Sequence, residues 1–295
     1  MAHRQQRFLE TNGLRLHYVT QGQGPLLLFL HGFPEFWYSW RHQLDYFADR
    51  YTCVALDLRG YNESDKPPGV AAYRLDVLVE DVRGAIAALG YDHLTLVGHD
   101  WGGAIAWAFA YAYPELLRSL VVMNIPHPAR FAEGLRTPQQ LARSWYIAAF
   151  QLPLLPELAL AAGDYWAIGQ IFQAMAVDKS AFSAADLRAY KTAAAKPGAL
   201  TAMVNYYRAL LLGDRRQQPW GILPVPTLLI WGEDDAALGK ELTLGTEAYV
   251  SDLRLRYIPH CSHWVQQEQP GQVNGLMDEF LGRGAPPCAL TVGGL

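Results

Sequence analysis

Apolar positions along the chain fall into two alternating patterns. Short continuous apolar runs at residues 26–30 (LLLFL) and 51–56 read as strands buried on both faces, and residues 93–97, 119–123, 227–231 and 253–258 read as further strands. Between several of them apolar residues return with helical spacing. These stretches are residues 74–89, stopped at Gly90, residues 102–113, ended before Pro114, and residues 272–281. Residues 7–10 and 14–21 flank Asn12-Gly13, a favoured turn pair, and predict an opening hairpin. Strands alternating with helices at this spacing predict βαβ units and a parallel sheet.

From about residue 129 to residue 219 the strand signal vanishes, and only helical patterns remain, at residues 139–150, 165–175, 184–194 and 200–212. After Pro224 and Pro226 the α/β rhythm returns. The predicted organisation is an α/β core of residues 1–128 and 219–295, with residues 129–218 inserted as a helical cap. The tail from Gly284 is rich in small residues, Pro and Gly, and is expected to be loose. No internal repeat is present.

Composition narrows the class. With 295 residues and 51% hydrophobic content, the chain can bury a sizeable core. The balance of 24 Lys+Arg against 28 Asp+Glu gives a net charge of −4, and no basic run appears, so nucleic acid is not an expected partner. The first residues lack the apolar segment of a signal peptide, and no apolar stretch is long enough to span a bilayer, so no membrane association is expected. The three cysteines, Cys53, Cys261 and Cys288, are odd in number and show no CxxC spacing. Neither a disulfide framework nor a structural zinc site is expected, and a reducing, cytoplasmic setting is.

Three motifs carry chemistry. Gly98-His99-Asp100-Trp101-Gly102 has the form G-x-D-x-G between a strand and a helix. That is the spacing of a nucleophile elbow, with Asp in place of the usual Ser. Its glycines suit a strained turn where strand and helix pack closely, and the helix start aims free amides at the site. An Asp before a helix can also be a plain N-cap. His31-Gly32-Phe33-Pro34-Glu35 follows the first buried strand, where this fold supplies one oxyanion-hole amide; the residue after the nucleophile supplies the other. Those amides would belong to Phe33 and Trp101. Late in the chain, Trp231-Gly232-Glu233-Asp234-Asp235 and His260-Cys261-Ser262-His263-Trp264 each follow a strand. Nucleophile, acid, then His is the chain order of such triads, with Asp235 and His263 the assigned pair and Asp234 and His260 the local alternatives.

These segments, together with LDLRGYNESDKP, resemble the epoxide hydrolase branch of the α/β-hydrolase fold, over nearly the whole chain up to the tail. The resemblance implies a mostly parallel, eight-stranded sheet flanked by helices, with the inserted cap. It also implies two cap tyrosines that hold the epoxide oxygen. The segment around Ser144-Trp145-Tyr146 matches the first motif through Tyr146. Asn205-Tyr206-Tyr207-Arg208 matches the second through Tyr207, with Tyr206 as the rival.

The implied chemistry suits these residue types. A carboxylate attacks an sp³ carbon without first losing a proton, so Asp100 can open an epoxide and form an alkyl ester. Phenols stay protonated at neutral pH, with a reference pKa near 10, yet can donate to an alkoxide. His263, supported by Asp235, would then activate water to cleave the ester into a vicinal diol. No cofactor or metal is expected. The expected partners are a small apolar epoxide and water, with a homodimer left open. Apolar cap residues, Trp145, Phe150, Leu152, Leu154, Trp166, Ile168, Phe172 and Met175, suggest an apolar pocket; Phe33, Trp101, Phe150 and Leu152 are the candidate substrate-binding residues.

The rival readings are dehalogenases of the same fold, a non-enzymatic ligand receptor, and an esterase. Haloalkane dehalogenases also carry Trp after the nucleophile, but often have Asn where Phe33 stands. Fluoroacetate dehalogenases carry Arg where Trp101 stands, and His-Trp where this chain reads Trp145-Tyr146. Some relatives draw their acid from the loop that here reads Met123-Asn124-Ile125, with no carboxylate. The elbow has no Ser or Cys for an esterase, and the full set of nucleophile, acid and base argues against a receptor.

Overall fold

The computed structural model describes residues 3–213 and 220–284. The tail and Cys288 lie outside the described residues, as does the predicted cap–core junction at 218/219. The opening hairpin forms as β1 (Gln5–Thr11) and β2 (Leu14–Gln21), with Asn12 and Gly13 both at positive φ, as the turn demands. The buried runs become β3 (Leu26–Leu30), β4 (Thr52–Leu56), β5 (Leu94–His99), β6 (Leu117–Met123), β7 (Thr227–Gly232) and β8 (Leu253–Ile258). They build one eight-stranded sheet in the order β1-β2-β4-β3-β5-β6-β7-β8, antiparallel at the β1/β2 and β2/β4 pairs and parallel elsewhere.

The continuous apolar runs have a physical reason. Alternate residues of β3 serve opposite faces: Leu26, Leu28 and Leu30 join one hydrophobic cluster, and Leu27 and Phe29 the other. The flanking helices are α1 (Arg41–Phe47), α2 (Leu75–Leu89) and α3 (Trp101–Ala112). Leu78, Val82, Ile105 and Phe109 pack on the first face, while Leu44 and Phe47 of α1 join Met277 and Phe280 on the second. Helix α2 ends at Gly90, which is left-handed and donates its N–H to Ala87 O.

Between β6 and β7 the described residues form helices and no strand, apart from a single bridge at Leu223: α4 (Pro128–Gly134), α5 (Pro138–Arg143), α6 (Trp145–Ala149), α7 (Leu155–Met175), α8 (Ala184–Ala194) and α9 (Ala199–Ala209), with two short 3-10 turns. The helix expected over residues 139–150 is two short ones, parted at Ser144 (φ −90°, ψ 14°). Helix α7 starts ten residues earlier than the predicted 165 and leaves helical geometry at residues 162–165. Ser183 and Asp186 close a reciprocal capping box at the start of α8. After β8 come α10 (Val265–Glu268) and α11 (Pro270–Gly284). Among the described residues no helix is long and apolar enough to cross a membrane.

Candidate active site

The site lies at the carboxyl ends of β3, β5 and β7 and beyond β8, where loops from neighbouring parallel strands converge. Strand β5 runs two residues further than expected: Gly98 and His99 still pair with β6, and the break falls at Asp100. Asp100 has φ 49° and ψ −121°, a strained conformation for a side chain with a Cβ. The surroundings enforce it. A Cβ on Gly32 would run into the Asp100 side chain, and one on Gly102 into the carbonyls of Leu30 and His31. Strand, elbow and the following helix therefore approach more closely than any larger residue would allow.

Both oxygens of Asp100 are held. Oδ1 accepts the Phe33 N–H at 2.8 Å, and Oδ2 lies 3.6 Å from His263 Nε2. Trp101 opens α3, so its N–H has no acceptor within the helix. His263 Nδ1 donates to Asp235 Oδ2 at 2.7 Å. Asp235 is fixed in turn: Oδ1 accepts the N–H groups of Ala237 and Leu238, and Oδ2 accepts Asn124 Nδ2 at 2.7 Å. The alternatives separate plainly. His260 is 92% exposed and lies 4.0 Å from Asp234, away from Asp100.

Sequence reasoning missed the groups behind this array. Asn124, in the loop that lacked a carboxylate, holds Asp235 and accepts the Gly232 N–H through Oδ1. Glu35 and His99 are fully buried and paired at 2.8 Å. Glu35 also accepts the Gly32 N–H, and His99 Nε2 donates to the His263 carbonyl. His99 already stood inside the elbow motif, and Glu35 inside the HGFPE loop; their burial was the missing signal.

Electrostatics follow from this geometry. Burial acts to lower the His263 pKa, but the Asp235 charge, then Asp100, reverses it, and the imidazole is raised to about 10. Burial acts to raise the Asp100 pKa, but the close His263 imidazole and its charge win, and the carboxyl sits below its ordinary value. Burial, reinforced by the Asp100 charge, pushes both Tyr146 and Tyr207 well above the usual phenol. Both phenols therefore stay protonated at neutral pH.

Above Asp100 is a cavity of about 550 Å³, in the usual range for a small-molecule site. Asp100, His263, Tyr146 and Tyr207 all line it. The two tyrosine rings meet edge to face at 5.8 Å. Tyr206 is set apart: its hydroxyl is fully buried and donates to Arg59 O at 2.7 Å. Phe33, Phe150 and Leu152 line the cavity, as do Trp145 and Met175. The Trp101 ring is not among the lining residues; it packs edge-on against Tyr207 at 5.2 Å. Ile168 and Phe172 are core residues instead, and Leu154 and Trp166 face outward. Arg143, Leu155, Ile171 and Trp264 complete much of the wall and were not foreseen.

Residues 25–270 match the family model described as the alpha/beta hydrolase fold. Over 281 residues the chain is 44% identical to epoxide hydrolase 4 of Mus musculus, covering 92% of this chain and 78% of that protein. It is 42% identical to the AB hydrolase superfamily protein YfhM of Bacillus subtilis, covering 93% of this chain and 97% of that protein. A solved structure of a Bacillus megaterium epoxide hydrolase variant, bound to its naphthyloxy-propane-diol product, superposes with a TM-score of 0.87 at 38% identity, over 94% of this chain and 100% of that one.

Proposed function

The chain belongs to the epoxide hydrolase branch of the α/β-hydrolase fold family, and from that premise we propose that it converts an apolar epoxide to a vicinal diol through a covalent ester on Asp100. One observation carries the reading. Asp100 has one oxygen on the Phe33 amide and the other facing His263, beneath two protonated tyrosines in one cavity.

Asp100 Oδ2 attacks an epoxide carbon, the ring C–O bond breaks, and the oxygen takes a proton from Tyr146 or Tyr207. Forming the ester removes the Asp100 charge that helped hold the proton on His263. His263 sheds that proton, which balances the one the tyrosine gave up. The neutral imidazole then draws a proton from water as the water attacks Asp100 Cγ. The oxyanion develops on Oδ1, at the Phe33 and Trp101 amides; one such donor is typically worth roughly 2.7–4 kcal/mol of barrier. Collapse breaks the Cγ–Oδ2 bond, the departing alkoxide takes the proton from His263, and the diol leaves carrying Oδ2. The new Asp100 carboxyl passes its proton to His263, which restores the starting pair. No step calls for a cofactor or a metal.

Halide departs without a proton, so two buried phenols over the nucleophile favour a C–O bond over a carbon–halogen bond. The apolar wall of Phe150, Leu152, Leu155, Ile171 and Met175 favours an aryl or alkyl substituent over a charged one. Residues 129–218 would act as the cap that carries this wall. In a single turnover in ¹⁸O-water, the diol takes unlabelled oxygen from Asp100 and the label enters the protein. Label chiefly in the first-turnover diol overturns the covalent route.

A further inference from the structure

The residue after Tyr207, Arg208, has a largely buried side chain that bonds within the cap. Arg208 donates through Nε to Phe150 O at 3.1 Å and through Nη2 to Leu152 O at 2.7 Å. The same guanidinium holds Glu157 with both terminal nitrogens, at 2.6 and 3.0 Å. Phe150 caps the end of α6, the helix that carries Tyr146, and Glu157 lies in the first turn of α7. A tether runs back the other way: Gln151 Nε2 donates to Ile147 O at 2.9 Å and to the Tyr207 carbonyl at 3.1 Å.

These bonds matter because α6 has only five residues. A helix of that length has no stability of its own, so the orientation of Tyr146 is set by what grips the helix from outside. The connection to α7 also turns through Leu154 at φ 63°, a conformation that a residue with a side chain holds only under constraint. The guanidinium serves four acceptor oxygens at once, two carbonyls and both carboxylate oxygens, where an ammonium has only three N–H donors.

We infer that Arg208 is a positioning residue for ring opening: it clasps the helix bearing Tyr146 to the helix bearing Tyr207 and fixes the spacing of the two proton donors. The inference rests on the reading of those tyrosines as acids. Misplacing such donors by about an ångström costs on the order of 10²-fold in rate. The clasp touches neither Asp235 nor His263, so it acts on ester formation and leaves ester hydrolysis alone.

The test is rapid-quench single turnover of styrene oxide by the full chain, resolving ester formation from ester decay. Arg208→Gln is expected to slow ester formation at least about tenfold and leave decay within about twofold. Arg208→Lys recovers part of the loss. Glu157→Gln, which keeps the carbonyl contacts, loses less than Arg208→Gln. Unchanged ester formation in Arg208→Gln, or equal slowing of both steps, overturns the clasp while leaving the acid reading intact. Tyr207→Phe runs in parallel: if it does not slow ester formation, the acid reading fails and takes the clasp with it. If Arg208→Gln does not fold cooperatively, Arg208→Lys carries the comparison, with selective slowing of ester formation against none.

Discussion

The two halves of this site are built differently. Below, Asp100, His263 and Asp235 stand on loops at the ends of parallel strands, and almost every polar atom is bonded to backbone or to a buried side chain. Above, Tyr146 and Tyr207 stand on helices held by ring contacts, by Arg208 and by Gln151. The lower half holds charge, and charge tolerates little freedom. The upper half holds neutral dipoles in an apolar wall, where shape can vary while the donors stay put. On the proposed mechanism, ester hydrolysis would depend on the first half, and ring opening would need both.

Breaking each half separately tests that division. The largest effect is expected from His263→Gln. On the proposed mechanism it would remove the base but not the nucleophile, so one equivalent of substrate should be consumed and the ester should persist. Decay of the ester slows roughly 10²–10⁴-fold. Intact mass should show protein plus one substrate, and an inactive variant with no adduct would count against the role. The next largest comes from the cap. Tyr146→Phe or Tyr207→Phe alone is expected to slow ester formation about 10–10²-fold, since the remaining phenol still donates. The double substitution costs more than either, and in neither single variant does ester decay change comparably.

The same division explains what was legible in the sequence. The turn at Asp100 could be read because an elbow needs glycines at fixed offsets, and Gly98 and Gly102 are indeed where a Cβ would collide. The central strands β3, β4, β5 and β7 could be read because burial on both faces leaves near-continuous apolar runs, and β1 and β2 because Asn12-Gly13 marks the turn between them. Helix α1 could not: it is seven residues long and has no side-chain cap at its start. Nor could the choice between Tyr206 and Tyr207. Adjacent residues differ only in which face of α9 they occupy, and that is decided by Arg59 O, a group remote in the chain. In the cap, a helical pattern is compatible with core, pocket or outer surface, so Phe172, Phe150 and Trp166 read alike and sit in three different places.

pH separates the halves more gently. In the free protein His263 is raised from 6.5 to about 10, so its charged form stabilises the fold below 6.5, and that contribution is lost as pH climbs through about 10. Asp100 is lowered, so its contribution is present above its ordinary value and is lost as pH falls through the lowered one. On the proposed mechanism ester formation would need ionised Asp100 and protonated tyrosines, and should stay flat from mildly acidic pH towards 10. Ester decay would need neutral His263. Once Asp100 is esterified, the imidazole keeps only Asp235 as a close anion, and its pKa falls below 10. Decay should therefore rise about tenfold per pH unit to a plateau that begins below 10. Stopped-flow traces of the two phases across that range check this; a plateau that begins only above 10 would contradict the loss of the Asp100 charge.

The smallest effect is expected where the cap wall meets solvent. Trp145 lines the cavity yet is 69% exposed, so its ring adds apolar surface at the mouth and little to the core. Removing it with Trp145→Ala forfeits part of an aromatic contact, worth about 1 kcal/mol at most for a half-solvated ring. That predicts a KM for a bulky aryl epoxide raised a few-fold, with no change for a small aliphatic epoxide that does not reach the rim. Ester decay and melting temperature should stay as in the parent. Trp145 directly precedes Tyr146 on α6, so the experiment also asks whether that helix holds its register without the ring. A fall in the rate of ester formation for the small epoxide would mean that Trp145 helps to seat Tyr146, and the wall and the acid pair could no longer be treated as separable.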